Sequence, residues 1–376
     1  MKRTRLRSLI ASVLALFLVV GSGSLANTTH ANGVTDWNMD AAILIEASTG
    51  KVLYEDNPDA LLGIASMTKM MTEYLLLEAI AEGSVSWDDK YTVTNKTYEI
   101  SQDLTLSNVP LQNGEAYSIH ELYEAMVIKS ANAAAIAIAE TIAGSEANFV
   151  MMMNEKAEEL GLEDFNFVNS SGLNNEDMHG YHPEGTGLFD DSEMSARATA
   201  KLAQHLLIDF PEVLDTASIP NKVFREGTDA IYMTNTNFML SSLEFEYEGA
   251  DGLKTGMTDF AGYTFTGTAI RNDMRLISVV LNVTDDDGLG SANARFGATT
   301  DLLNFGFNNF TLEDIIPENV TIEDQEMVAV DEEKEETLVT TESEEKENGF
   351  VLSMRTVGGF FGKLYETTVS TVKGWF

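Results

Sequence analysis

Ser66 and Lys69 stand three residues apart in the stretch ASMTKM, ahead of MMTEYLLLEAIAEG, a run of good helix formers closed by Gly83. On a helix, residues i and i+3 share a face, so the hydroxyl and the amine would lie one turn apart. A serine near a helix N-terminus meets unpaired N–H groups and the positive end of the dipole, which favour an alkoxide-like nucleophile. A lysine whose pKa is lowered by burial and by its neighbours can take the hydroxyl proton. Serine is also a common N-cap and lysine is usually solvated, so this pair needs partners elsewhere in the chain before it implies chemistry.

Two segments offer partners. KSANAA carries Ser130 and Asn132 at the break between two helical stretches. A hydroxyl and a carboxamide so spaced can enter one cleft from a turn, the first relaying a proton and the second holding a substrate carbonyl or the lysine. DGLKTGMTDFAGYTF carries Lys254, Thr255, Gly256 and Met257 ahead of an expected strand. A cation and a hydroxyl at a strand edge can bind a carboxylate, and glycine lets a backbone approach closely. Each short motif is weak alone, and Lys-Thr-Gly is equally a simple turn.

The elements that must position these groups are legible in outline. AAILIEA and KVLYE flank Ser48-Thr49-Gly50 as a β-hairpin. The stretch DKYTVTNKTYEI reads as extended. SIHELYEAMVIK has helical periodicity, with Ser118 as N-cap and Glu121 completing a capping box. ANAAAIAIAETIAG is a helix too apolar for exposure on all sides, EANFVMMMNEKAEELG is amphipathic, and SEMSARATAKLAQHLL is a further helix. Residues 165–195 are irregular and rich in glycine, and a loop of that length inside a domain is often functional. AGYTFTGTAI and MRLISVVLNV read as central strands, and SANARFGATTDLLNFGFNNF as a closing helix. Helices bracketing a hairpin-rich sheet suggest an α/β sandwich.

Composition bounds the rest. The 376 residues suit one large domain and a smaller appendage. There is no cysteine, which excludes disulfides, thiolate metal sites and a cysteine nucleophile. The histidines form no metal-ligand pattern, the close pair His179 and His182 falling in a Gly/Pro-rich loop, so no metal or cofactor is expected. MKRTRLR followed by the 13-residue apolar run SLIASVLALFLVV and small residues reads as a secretory signal over 1–31, with Ala26 and Ala31 as candidate ends. The remainder holds 19 Lys+Arg against 60 Asp+Glu, a surface that repels nucleic acid. Residues 311–349 hold 15 acids and two lysines and read as a solvated acidic tether or a reduced β domain. In 350–376, Phe350, Met354, Val357, Phe361, Leu364, Val372 and Trp375 fall near one helical face, and the segment carries a net charge of +2. It lacks the roughly 20 consecutive apolar residues of a span, so it is expected to lie on a membrane surface as an amphipathic anchor.

Taken in order, Ser66-x-x-Lys69, Ser130-x-Asn132 and Lys254-Thr255-Gly256 are far more specific than any one element. The chain resembles the low-molecular-mass penicillin-binding proteins of the serine-type D-alanyl-D-alanine carboxypeptidase family. The likeness runs from about Ala41 to Phe310 and includes AAILIEASTGKVLYEDN, FVNSSGL at 167–173, TNTNFML and the Ala-Gly after the third motif. The resemblance implies a serine β-lactamase/penicillin-binding-protein-like α/β fold, an antiparallel sheet flanked by helices plus a helical subdomain, over 32–310. It implies that Ser66 is the acylated nucleophile and Lys69 the general base. Ser130 and Asn132 would line the site, Lys254 and Thr255 would bind the substrate carboxylate, and the N–H groups of Ser66 and Met257 would form an oxyanion hole.

The implied substrate is a peptidoglycan stem peptide ending in D-Ala-D-Ala, with β-lactams as acylating mimics, outside the cytoplasm at the membrane face. The chain departs from the family's pattern at Ala133, where aspartate is frequent, and at Met257, where histidine or tyrosine is frequent. Its 311–349 stretch is also too short for the usual second β domain, and the loop 180–193 is longer than usual. A β-lactamase would share the three motifs but would need a deacylating group such as a glutamate before Leu-Asn, and no E-x-x-L-N stands in the loop region. A penicillin-binding or wall-binding protein without turnover stays open on the same residues.

Overall fold

The structure, a computed structural model, describes residues 37–225, 230–284 and 292–315. The expected signal at 1–31, the acidic stretch from 316 and the amphipathic segment 350–376 lie outside the described residues.

The hydrophobic run AAILIE becomes β1 (Ala41–Glu46), buried at every position. A strand covered on both faces loses its alternation of polar and apolar residues. It turns into β2 (Val52–Asp56) through Ser48-Thr49-Gly50, and the turn closes on the Glu46 carboxylate, which accepts from Ser48 N at 2.9 Å and Thr49 N at 2.8 Å. The chain returns to this sheet only at β3 (Ala250–Thr258), β4 (Gly262–Arg271) and β5 (Met274–Leu281). The antiparallel order is β3-β4-β5-β1-β2, so β3 is an edge strand.

The helices of the described residues, in chain order, are α1 (Lys69–Ala81), α2 (Asn95–Gln102), α3 (Ile119–Ile128), α4 (Asn132–Ala143), α5 (Glu146–Glu159), α6 (Ala196–Asp209) and α7 (Ala292–Asn309), with short ones at Val213–Ala217 and Leu312–Ile315. Alternate residues of the sheet face two cores. Ile43, Ile45, Ile277 and Val279 pack with Met70, Leu77, Leu202 and Leu206 of α1 and α6. Leu44, Phe265 and Val280 pack with Phe296, Leu302 and Leu303 of α7. A third cluster, built on Leu122, Met126 and the alanine-rich α4, forms the helical subdomain.

Three expectations change. The stretch 89–100 is a strand only over Lys90–Thr92. Thr94 then caps α2, accepting from Thr97 N while Thr97 Oγ1 accepts from Thr94 N, so a capping box overrides the β-branched composition. Lys254-Thr255-Gly256 does not precede a strand but lies inside β3, paired with Thr266, Phe265 and Thr264 of β4. Ser66 sits in a 3₁₀ turn, Ala65–Thr68, that feeds α1 at Lys69. The Ser118–Glu121 capping box of α3 stands as read from the sequence.

Candidate active site

The 3₁₀ turn places Ser66 half-buried at the junction of sheet and helical subdomain, with Lys69 beneath it, 1% exposed. Lys69 Nζ donates to Asn132 Oδ1 at 2.7 Å and to the Ser171 carbonyl at 2.6 Å, and lies 2.9 Å from Ser66 Oγ. This geometry serves both charge states. An ammonium donates all three protons; a neutral amine keeps the first two bonds and turns its lone pair on the Ser66 hydroxyl. Burial, and then the nearby Lys254 ammonium, push the Lys69 pKa well down.

Ser130 and Asn132 come from the α3–α4 corner. Ser130 has φ 60°, the left-handed stop that asparagine or glycine more often takes, and it turns the chain so that Asn132 opens α4. A loop pins the corner: Asn132 N donates to the Ser107 carbonyl at 2.9 Å and Ala133 N to Asn108 Oδ1 at 2.9 Å. The Ala133 side chain is buried in the subdomain core, so this position offers the site no polar group.

Edge strand β3 brings the third group. Lys254 Nζ donates to Ser130 Oγ at 2.8 Å and to its neighbour's carbonyl, Thr255 O, at 3.1 Å. Thr255 Oγ1 bonds Thr236 Oγ1 at 2.8 Å. Burial first, then the positive charge of Arg295, bring the Lys254 pKa down to about 7, against the opposing pull of Glu73. Gly256 is required by contact: a Cβ there would lie 2.2 Å from Thr264 Oγ1 and 2.6 Å from the Ile64 carbonyl. The strand thus runs directly against the turn that carries Ser66. The Met257 side chain is exposed.

The segment FVNSSGL forms the floor. Asn169 Oδ1 accepts from Ser171 N (3.0 Å), Ser171 Oγ (3.1 Å) and Gly172 N (2.6 Å), while Glu146 Oε1 accepts from Ser170 Oγ at 2.7 Å. These bonds present the Ser171 carbonyl to Lys69. Gly172 has φ 73°, and a Cβ on it would fall 1.9 Å from the Ala65 carbonyl. Ala65 itself has φ 46°, so the residue before the candidate nucleophile is held in a sparsely populated conformation.

A buried base under a serine, with a second buried lysine one hydroxyl away, is a constellation for acyl transfer to serine. The chain matches the D-alanyl-D-alanine carboxypeptidase family over residues 26–285. The chain belongs to that family. The D-alanyl-D-alanine carboxypeptidase DacF of Bacillus subtilis is 34% identical over 283 residues, which cover 75% of this chain and 65% of DacF. The crystal structure of a peptidoglycan synthesis regulatory factor (PBP3) from Streptococcus pneumoniae shares 39% identity with a TM-score of 0.68, covering 72% of this chain and 73% of that one. Penicillin-Binding Protein D2 from Listeria monocytogenes, solved in an ampicillin-bound form, shares 34% identity with a TM-score of 0.58 over 72% of this chain and 97% of that one. The fold is that of this carboxypeptidase family, sheet and helical subdomain together.

Sequence reasoning singled out Ser66, Lys69, Ser130, Asn132, Lys254, Thr255, Gly256 and Met257, and the structure gathers the first six into two bonded clusters, Ser66–Lys69–Asn132 and Ser130–Lys254–Thr255, with the other two following on β3. It passed over four others. Ser171 acts through its backbone carbonyl, which no side-chain motif announces, although the family-like FVNSSGL marked its neighbourhood. Thr236 stands in TNTNFML, another family-like stretch. Arg295, on α7, is buried and donates to the Gly256 carbonyl at 2.9 Å; burial brings its pKa down to about 10. Glu73, on α1, is also buried, and reads in sequence as one more helix glutamate.

Proposed function

We propose that the chain is a serine D-alanyl-D-alanine carboxypeptidase that removes the terminal D-alanine from peptidoglycan stem peptides through an acyl-enzyme on Ser66, and that β-lactams acylate the same oxygen. The observation that carries this reading is the 2.9 Å approach of a fully buried Lys69 amine to Ser66 Oγ. Ser66 Oγ attacks the carbonyl of the last peptide bond as its proton passes to Lys69 Nζ. The tetrahedral oxyanion is met by the N–H groups of Ser66 and Met257. Ser130, bonded to Lys254, relays a proton to the departing D-alanine nitrogen. Lys254 and Thr255 take the terminal carboxylate; the lysine has two bonds here and a third N–H to offer. Water then cleaves the ester and leaves a stem shortened by one residue.

The reading also takes in export and a membrane surface. The basic start and 13-residue apolar run support export, and the basic, amphipathic 350–376 behind an acidic stretch supports a peripheral anchor. Among the described residues no helix is long and apolar enough to cross a membrane.

The test is D-alanine release from diacylated L-Lys-D-Ala-D-Ala by the chain and by its Ser66→Ala variant, with ampicillin uptake followed by mass. Release and uptake by the parent and neither by the variant are expected. Stable uptake without release would mark a penicillin-binding protein without turnover. Rapid release of hydrolysed ampicillin without peptide cleavage would mark a β-lactamase.

A further inference from the structure

Four glutamates are buried among the described residues: Glu46, Glu73, Glu124 and Glu146. Three have partners that account for them. Glu46 closes the β1–β2 turn, Glu124 pairs with Lys222, and Glu146 takes Lys96 at 2.6 Å together with Ser170. Glu73 has no cation bonded to it; it accepts only the Tyr123 hydroxyl at 2.8 Å. It stands on α1 one turn beyond Lys69, on the face that carries Ser66 and Lys69 toward the helical subdomain. A carboxyl without a bonded cation is costly to bury for packing alone.

The cations of the site have the complementary deficit. Lys69 and Lys254 are both buried, and every hydrogen-bond partner of either is neutral. Arg295 adds a third buried positive charge behind β3 and acts on Lys254. We propose that Glu73 is a positioning residue: its carboxylate, anchored by the Tyr123 hydroxyl, holds Lys254 as an ammonium and thereby leaves Lys69 as the neutral amine beside Ser66. This rests on the reading of Ser66 as nucleophile and Lys254 as the carboxylate ligand.

The surroundings agree. Burial pushes the Glu73 carboxyl up to about 7, against the hydrogen bond from Tyr123 and the charge of Lys254. Lys254 is brought to the same region, and each charge favours the other, so the pair ionises together. Of the other elements packed on α1, α4 presents neutral Asn132, while Lys156 of α5 is taken by Glu78 and Asp209 of α6 by Tyr74. Tyr123 also faces Thr216 and Glu212, both of which act on its hydroxyl rather than on Glu73.

The experiment is the pH profile of kcat/KM for D-alanine release, with the rate of ampicillin acylation alongside, for the full chain, Glu73→Gln and Tyr123→Phe. Glutamine keeps the shape and the acceptor for Tyr123 but removes the charge. Without that charge Lys254 loses its proton at lower pH, while the acid limb, where Lys254 is still an ammonium and Glu73 is protonated, stays in place. The alkaline limb should move down by about one pH unit, lowering kcat/KM about tenfold on that limb, with KM raised more than kcat is lowered. Tyr123→Phe should move the alkaline limb the same way by less, and it carries the test if the glutamine variant fails to fold. A lowered melting temperature with an unmoved alkaline limb in these variants overturns the inference and makes Glu73 structural. A parent that neither releases D-alanine nor takes up ampicillin overturns the functional reading, and this inference with it.

Discussion

At the scale of single residues, the proposed reaction depends on two lysines of one site having different charge states. Lys69 must be neutral to accept a proton, while Lys254 must be charged to hold a carboxylate. Burial and Lys254 lower the Lys69 pKa, so the fraction of base rises as pH climbs through that lowered value. Lys254, down to about 7 in the absence of substrate, loses its charge on the alkaline side, and an arriving carboxylate moves that loss to higher pH. A bell-shaped kcat/KM is therefore expected, its acid limb set by the lowered Lys69 and its alkaline limb near the Lys254 value of about 7, with the alkaline limb of kcat lying higher because bound carboxylate holds the Lys254 charge. A rate that climbs steadily to the alkaline end would contradict a lowered Lys69. Lys69→Arg removes the base outright, because guanidinium keeps its proton at any of these pH values; ampicillin uptake should fall by about 10²–10⁴.

At the scale of elements, two glycines clamp the turn that carries Ser66. Gly256 of β3 and Gly172 of the floor segment each bring backbone against Ile64 or Ala65 so closely that a Cβ cannot fit. Gly256→Ala and Gly172→Ala should each destabilise by about 1–3 kcal/mol and slow ampicillin uptake, since relief of the clash must move the turn. Gly83→Ala is the control. It has positive φ with nothing within 4 Å of a Cβ, so it should lower the melting temperature slightly and leave uptake unchanged. Ser118→Ala breaks the capping box of α3 and should cost about 1 kcal/mol in thermal or urea unfolding, again without affecting uptake.

At the scale of the whole molecule, charge separates the segments. The full sequence carries a net charge of −37, yet residues 350–376 have three basic side chains against one acid. A basic amphipathic stretch on an acidic protein favours anionic lipid surfaces, through buried apolar area and through Coulomb attraction together. Residues 1–349 should accordingly remain in the supernatant when the full chain sediments with membranes or with anionic vesicles. Sedimentation of both would refute the anchor assignment.

By itself the sequence determined what local rules control: the β1–β2 hairpin, the α3 capping box, the alanine-rich α4 and three short motifs whose residue types suit acyl transfer. It misplaced what depends on competition between local signals, as where the Thr94 cap turns a β-branched stretch into α2, and where β3 begins ahead of Lys254. Only the tertiary structure decided the electrostatics. Lys69 meets Ser171 from 102 residues away, and Lys254 meets Ser130 from 124 residues away. Whether a lysine is a base or a cation depends on burial and on charges contributed by α1, β3 and α7 together, and no window of sequence contains that sum. Glu73 makes the point most sharply: between Thr72 and Tyr74 it reads as a solvated helix residue, and only the packing of α1 against α3 makes it a buried carboxyl facing Tyr123.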